Sequence, residues 1–426
     1  MSRPILLRGA RQLLTMRGPA GPRRGADLRN LGIIQDGAVL IADGLIRDVN
    51  TTRRLDNLAQ ARNAVEINVN GKVVLPGFVD CHTHLVGGPA RLQEYEMRIA
   101  GATSDQITEA GGGFRAIHEA LQRVSLVALQ TQAALLLKES IRHGTTTLEA
   151  KSGYGITEQG EIKILRTHAN VNKRLGNVVS TFMAARFLTS SSQGSHQEYI
   201  DRVCTHILPQ VRRRKLAEFV DLSFENDTFS LEQVRRVLLC ARHLGFDLKL
   251  QAGQYSNVGG VRLAVELGAV SVDHAIFLDP ADVAALARSE TVATLLPGPV
   301  FYQGNRRYAE ARALIDGGVA VALGTGYNPE TCPSMNMQMI ISLACGKMAM
   351  TPAEALSAAT INAAYALRRG DRIGSIEFGK QADLVVLSVP DYREIPYHFG
   401  VNLVEMTMHR GYPLYQASEV KWPAGA

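Results

Sequence analysis

The spacing of apolar and polar positions changes twice along the chain. Up to about residue 72 the apolar positions fall in short runs of strand length, separated by turn residues. The stretch 37–50 alternates about Asp43-Gly44, the residue pair that a two-residue hairpin turn favours. From Lys72 onward, strand-like apolar runs alternate with amphipathic segments of helical period. Eight runs stand out, at 73–84, 145–152, 178–186, 220–225, 247–254, 269–277, 291–297 and 319–326. The spacing predicts helices between them, among others over 126–143, 196–213, 231–244 and 279–289. Eight alternating units predict a (β/α)8 barrel. The near-continuous apolar character of the runs fits a parallel sheet buried on both faces. A helix-rich stretch follows at 335–367, and strand periodicity returns from Gly374. The first 72 residues are too few to make a good core alone. The expected architecture is therefore an α/β TIM-like barrel over 73–373, with a small β-sandwich lobe built from both chain ends, 1–72 and 374–426.

Composition narrows the function classes. Of the 426 residues 46% are hydrophobic and 20% charged, which suits a large packed core. The net charge of +6 is spread along the chain, and the only dense basic run is Arg212, Arg213, Arg214 and Lys215. No aromatic residue interleaves with that run, so it reads as a solvated helix face, and a nucleic-acid partner is not expected. The five cysteines are widely spaced and odd in number. This speaks against a disulfide framework and for a reducing compartment. No apolar run is long enough to span a membrane. The N-terminus is arginine-rich, but Ile5-Leu6-Leu7 and 37–50 read as strands and no cleavable apolar core precedes them. A cytoplasmic location is the expectation.

In a barrel of this kind the chemistry sits at the carboxyl ends of the strands. The first run ends in His82-Thr-His84. In a strand, side chains two apart share a face, so the two imidazoles would project together, as a divalent metal requires. Two histidines that meet solvent or hydrogen-bond locally fit the same pattern. Arg91 follows, after Gly87-Gly88-Pro89. The second run ends in Lys151-Ser-Gly-Tyr154-Gly, where Tyr154 either touches a ligand or caps the barrel rim. The later runs end in Arg186, Glu225, Gln251-Ala-Gly-Gln254, Asp273-His274 and Gly324-Thr-Gly326-Tyr-Asn328-Pro. Alternation points Cys81 away from the histidines, as a packed core thiol.

These stretches, together with Ala100-Gly-Ala-Thr, Ala110-Gly-Gly-Gly, Ala358-Ala-Thr-Ile-Asn-Ala-Ala-Tyr-Ala-Leu and Gly374-Ser-Ile-Glu-Phe-Gly-Lys-Gln-Ala-Asp-Leu-Val, resemble the imidazolonepropionase family of the amidohydrolase superfamily over nearly the whole chain. The resemblance implies a metal-dependent barrel and one divalent ion, Zn or Fe, at its mouth. It implies activated water that opens the ring amide of 4-imidazolone-5-propanoate to N-formimino-L-glutamate in histidine breakdown. It also implies a homodimer and a small anionic substrate. By position His82 and His84 match two metal ligands. Arg91 and Tyr154 match substrate-contacting residues, and His274 matches a superfamily histidine of the catalytic site. Arg186 stands where the family has a substrate-contacting histidine and is grouped with Arg91 and Tyr154 as a ligand contact.

The chain departs from the family at three further positions. Gln251 stands at the third metal ligand, Gln254 at an acid three residues later, and Gly326 at the aspartate ligand of the eighth strand. A metal-bound water falls from a pKa of ~16 toward ~7 only in a site of full charge and geometry. Glutamine offers one weak neutral oxygen and glycine offers nothing. Removing the acids also removes a proton-transfer step worth roughly two to four orders of magnitude.

Three readings follow. The chain is a metal-dependent hydrolase of a cyclic amide C–N bond with a rearranged site (His82, His84 and His274 as ligands, Glu225 or Asp273 as base). Alternatively it is an inactive paralogue that binds a small anionic ligand or a partner. The third is a metal-free reaction on the same scaffold.

Overall fold

The computed structural model describes residues 3–185, 196–226 and 228–417. Eight parallel strands form the barrel: Phe78–Asp80, Thr145–Lys151, Val178–Ala185, Phe219–Phe224, Asp247–Ala252, Ser271–His274, Val292–Leu295 and Val321–Leu323, hydrogen-bonded in chain order. The first and last strands meet beyond their ends, through a parallel bridge between Thr83 and Tyr327. Helices cover the outside as their amphipathic period predicts, for example Leu126–Arg142 and Leu231–His243. The second begins in a capping box, in which Ser230 and Gln233 satisfy each other's backbone amides. The segment predicted as one helix over 196–213 carries a π turn, Val203–Ile207, between Leu208–Arg213 and His196–Arg202. Arg212 to Lys215 are exposed at its end.

The second sheet draws on both chain ends. Its strand order is Tyr412–Gln416, Val404–His409, Leu384–Leu387, Val73–Pro76, Ile5–Leu14, Ile33–Ala42 and Leu45–Thr51, and Val65–Asn68 pairs with Ile5–Leu14. The hairpin turns at Asp43-Gly44, with both residues at positive φ, 54° and 76°. Val73, Leu75, Val385 and Leu387 face the large core shared with the barrel. Val74, Leu384 and Val386 face the lobe's own core with Ile5, Leu7, Val39 and Met406. This is the period-two alternation of a sheet with two occupied faces.

The first apolar run divides between the two sheets. Val73–Pro76 pairs with Leu384–Leu387 in the lobe, whereas Phe78–Asp80 pairs with Thr145–Lys151 in the barrel. Gly77 is the switch. A Cβ there would stand 2.2 Å from the Thr146 side chain, so no larger residue allows this approach.

Candidate functional site

His82 and His84 lie just beyond the first barrel strand, where pairing with the eighth strand's loop fixes them. The Gly326 amide donates to the His82 carbonyl at 3.0 Å, and the His84 amide to the Tyr327 carbonyl at 2.7 Å. The imidazoles are buried with ring centroids 5.7 Å apart. His84 Nδ1 lies 2.9 Å from the Ser152 carbonyl, which can only accept, so Nδ1 carries the proton and Nε2 the lone pair. His82 Nδ1 lies 2.7 Å from Asp273 Oδ2. Burial, reinforced by the charge of Lys151, holds His82 well below the usual imidazole range, so it is neutral. His274 joins the pair, with its ring 5.5 Å from that of His82. Its backbone φ is 80°, in the left-handed region that a histidine adopts only at a cost.

Beneath the histidines lies a buried ionic floor. Lys151 Nζ reaches Asp221 at 2.6 Å, Asp273 at 3.0 Å and Glu149 at 3.3 Å. Lys249 Nζ reaches Glu149 at 2.7 Å and the Cys81 carbonyl at 3.1 Å. Burial lowers the Lys151 pKa, but the three carboxylates outweigh it and raise it. Burial likewise pushes Asp273 up, and Lys151, Lys249 and the His82 contact reverse this, holding it ionised. Asp80 accepts from the Thr325 amide at 2.9 Å and from its hydroxyl at 2.5 Å, and burial pushes its carboxyl up to about 7. The sequence reading did not name Glu149, Asp221, Lys249 or Asp80 as site residues. The available signal was their position: charged residues inside strands that otherwise read as apolar.

Gln251 is buried in this floor. Its amide donates to Asp221 at 3.1 Å and lies 3.6 Å from the Met183 sulfur. Gly326 has φ +65°, and a Cβ there would come within 2.7 Å of the Pro299 ring. Gln254 stands at the rim. Its backbone amide donates to Glu225 at 2.7 Å and its side chain to the Tyr255 hydroxyl at 2.8 Å. Glu225 also accepts from the Tyr255 amide and from the Ser256 amide and hydroxyl, so its carboxylate ties down this loop. Tyr154 is fully buried, its ring 5.3 Å from both His84 and Phe114. Cys81 faces the core, its sulfur 3.5 Å from the Leu323 carbonyl, and burial raises its thiol pKa.

Arg91 lies in the loop that follows the histidine pair. Its Nε donates to Glu94 at 2.6 Å, and it lines a groove with Tyr95, Tyr302, Tyr327 and Glu330. Glu94 also accepts from the Gly113 amide at 3.0 Å. Arg186 lies outside the described residues. A cavity of about 350 Å³ opens beside His274 and is bordered by Gln254, Phe277, Pro299, Arg306 and Arg307. The structure thus brings together His82, His84, His274, Tyr154 and Gln251. Among the described residues no group of three or more His, Cys, Asp or Glu side chains is placed to hold one metal ion.

Comparison with known proteins bears on this arrangement. A family model described as amidohydrolase family matches residues 106–415. The chain is 40% identical over 419 residues to an imidazolonepropionase of Bacillus cytotoxicus, with 98% of each chain covered. It is 40% identical over 412 residues to one of Bacillus cereus, covering 96% of each. Among solved structures, an adenosine deaminase from Xanthomonas campestris with bound zinc superimposes with a TM-score of 0.70 at 20% identity, over 96% of this chain and 92% of that one. A triazine hydrolase from Arthrobacter aurescens gives 0.73 at 18% identity, over 97% and 95%. These two likenesses speak for the fold alone.

Proposed function

Because the chain belongs to the imidazolonepropionase family of the amidohydrolase superfamily, we propose that its barrel mouth binds the family's class of ligand, a small cyclic amide carrying a carboxylate, without the family's metal-driven ring opening. The family's reaction is hydrolysis of such an amide in histidine degradation, and it depends on a metal. The observation that carries the reading is the pair Gln251 and Gly326. Gln251 is committed to Asp221, and Pro299 occupies the space into which a side chain at 326 would grow. With two ligand positions lost, no three His, Cys, Asp or Glu side chains among the described residues are placed to hold one ion, and a catalytic zinc needs three protein ligands. The residues present therefore do not fit the implied metal, and no step is routed through one.

A second reading is favoured by the Asp273–His82 pair. A neutral imidazole whose Nδ1 proton is held by a carboxylate keeps its Nε2 lone pair for water, as a weak general base because burial and Lys151 depress its pKa. On this reading the chain hydrolyses its ligand without metal.

One experiment separates the readings. Protein purified without added metal or chelator is analysed for metal content, before and after loading with Zn²⁺, Fe²⁺ and Mn²⁺. It is then assayed on imidazolone propionate and tested for thermal stabilisation by it. Binding without metal or turnover is the expected result. Turnover that survives chelation establishes the second reading. One metal per chain with hydrolysis abolished by chelation overturns both.

A further inference from the structure

The five cysteines are widely spaced in the sequence, and the fold brings two of them together. Cys204 lies in the π turn Val203–Ile207, and Cys240 lies near the end of the helix Leu231–His243. These segments follow the third and fourth barrel strands on the outside of the barrel. Helices that return from successive parallel strands run in the same direction. An ion pair fixes their register, with Arg236 Nη1 2.5 Å from Asp201 Oδ1. Residues three or four apart share a helix face. One turn onward from Asp201 is Cys204, and one turn onward from Arg236 is Cys240, so the cysteines form the next rung between the two segments.

Three further observations agree. Cys204 and Cys240 line one cavity of about 560 Å³, with Leu239, Arg242 and His243. Arg236 interacts with both sulfurs as well as with Asp201. Both cysteines are half-buried against the main core, which leaves them open to small reagents. The other three are placed differently: Cys81 and Cys332 are buried, and Cys345 lies on the helix Met337–Met348. Among the described residues no third His, Cys, Asp or Glu side chain joins the pair to hold a metal ion, so the chemistry open to it is that of sulfur with sulfur. Burial and the neighbouring Cys240 push the Cys204 thiol up to about 12. Cys204 therefore keeps its proton at neutral pH, and the first attack falls to Cys240.

We propose that Cys204 and Cys240 form a reversible dithiol–disulfide site, closed by exchange with a low-molecular-weight disulfide and opened by a thiol reductant. In the first step the Cys240 thiolate attacks one sulfur of the small disulfide. A mixed disulfide forms, the small S–S bond breaks, and the departing thiolate takes up the proton that Cys240 released. The charge Cys240 could carry is then gone, which removes one cause that holds the proton on Cys204. In the second step Cys204 attacks the Cys240 sulfur, and its proton leaves with the second small thiol. Two protein thiols are oxidised, and one small disulfide is reduced to two thiols. The bridge staples the π turn to the helix Leu231–His243. A reducing thiol pool keeps the pair open and an oxidising one closes it.

The test uses the full chain, reduced and then equilibrated with oxidised and reduced glutathione at a series of ratios. Thiols are counted by alkylation after denaturation, and the bridge is located by peptide mapping. The expected result is loss of two of the five thiols, a mass lower by about 2 Da, a cross-link between the peptides that hold Cys204 and Cys240, and full recovery with dithiothreitol. C204S and C240S are each expected to form no internal bridge. Phenylarsine oxide, which bridges two adjacent thiols, is expected to bind the reduced wild type at least about tenfold more tightly than either variant. Retention of all five thiols at every ratio, a bridge mapped to any other pair, or equal arsenical affinity in wild type and variants would each overturn the assignment. The wild-type thiol count and map decide the matter even where a serine variant fails to fold.

Discussion

At the scale of single residues, Lys151 carries the largest local consequence. It is fully buried, and its ammonium is shared by Asp221, Asp273 and Glu149. Replacing it by methionine preserves much of the volume and leaves Asp221 without its cation in a site that water does not reach. Breaking one side of a buried pair costs about 3–5 kcal/mol, because the charge left behind is uncompensated. Lys151→Met is therefore expected to lower the unfolding free energy measured by denaturant titration by that amount, and a change under about 1 kcal/mol would mean the floor repacks or neutralises itself. Glu149 and Lys151 were legible in principle: two charged residues two apart in an apolar strand share a face and need partners. Their partners were not legible. Asp221, Lys249 and Asp273 come from three other strands, and only closure of the barrel brings these groups within hydrogen-bond distance. For the same reason the histidine pair could be read locally, while the turn of Gln251 toward Asp221 and the blocked space at Gly326 could not.

At the scale of elements, the helix Pro352–Ala358 shows how the loops that frame the barrel are pinned. Thr351 and Glu354 form its capping box. The Glu354 carboxylate also accepts from Arg29 at 3.0 Å and from Arg312 at 3.0 Å, which joins the lobe-side turn Gly25–Arg29 and the helix Ala311–Asp316 to one point. Burial would raise this carboxyl, but Arg312, the Thr351 amide and Arg29 outweigh it and hold it at about 2, below its ordinary value of 4.5. A depressed folded-state pKa means the stabilisation is complete above the unfolded value and is lost as pH falls toward the folded one. Glu354→Gln is thus expected to cost about 1.5–3 kcal/mol at neutral pH. The gap in denaturant midpoint between wild type and variant should stay constant down to about pH 4.5 and narrow from there toward about 2. A gap independent of pH would show that the carboxylate's charge contributes nothing. The threonine, proline and glutamate of this cap are readable as a helix start. The arginines that meet them lie about 40 and more than 300 residues away, beyond the reach of any local pattern.

At the scale of the molecule, the two sheets share material in a way that ties their stabilities together. The apolar run from Val73 to Asp80 crosses from one to the other with only Gly77 between. That run read as one barrel strand because both halves are apolar, and hydrophobicity alone does not tell which sheet an apolar strand joins. At the switch, the Gly77 amide donates to Asp383 of the lobe at 2.9 Å, and the next amide, Phe78, donates to Gly144 of the barrel at 2.9 Å. The lobe residues Val73, Leu75, Val385 and Leu387 pack in one continuous core with Phe78, Phe182, Val220 and Leu248 of the barrel. Unfolding the lobe alone would strip one face of that core and expose its apolar side chains, at roughly 25 cal/mol per Å². The lobe's own core, behind Val74 and Val386, is the smaller of the two. The expected outcome is therefore a single unfolding transition despite the length of the chain: coincident curves from far-UV circular dichroism and calorimetry, with van 't Hoff and calorimetric enthalpies in agreement. Two separable transitions would mean that the lobe folds on its own core and that the shared face contributes little. The same coupling gives the ligand experiment a global readout, because occupancy of the barrel mouth would then raise the stability of lobe and barrel together.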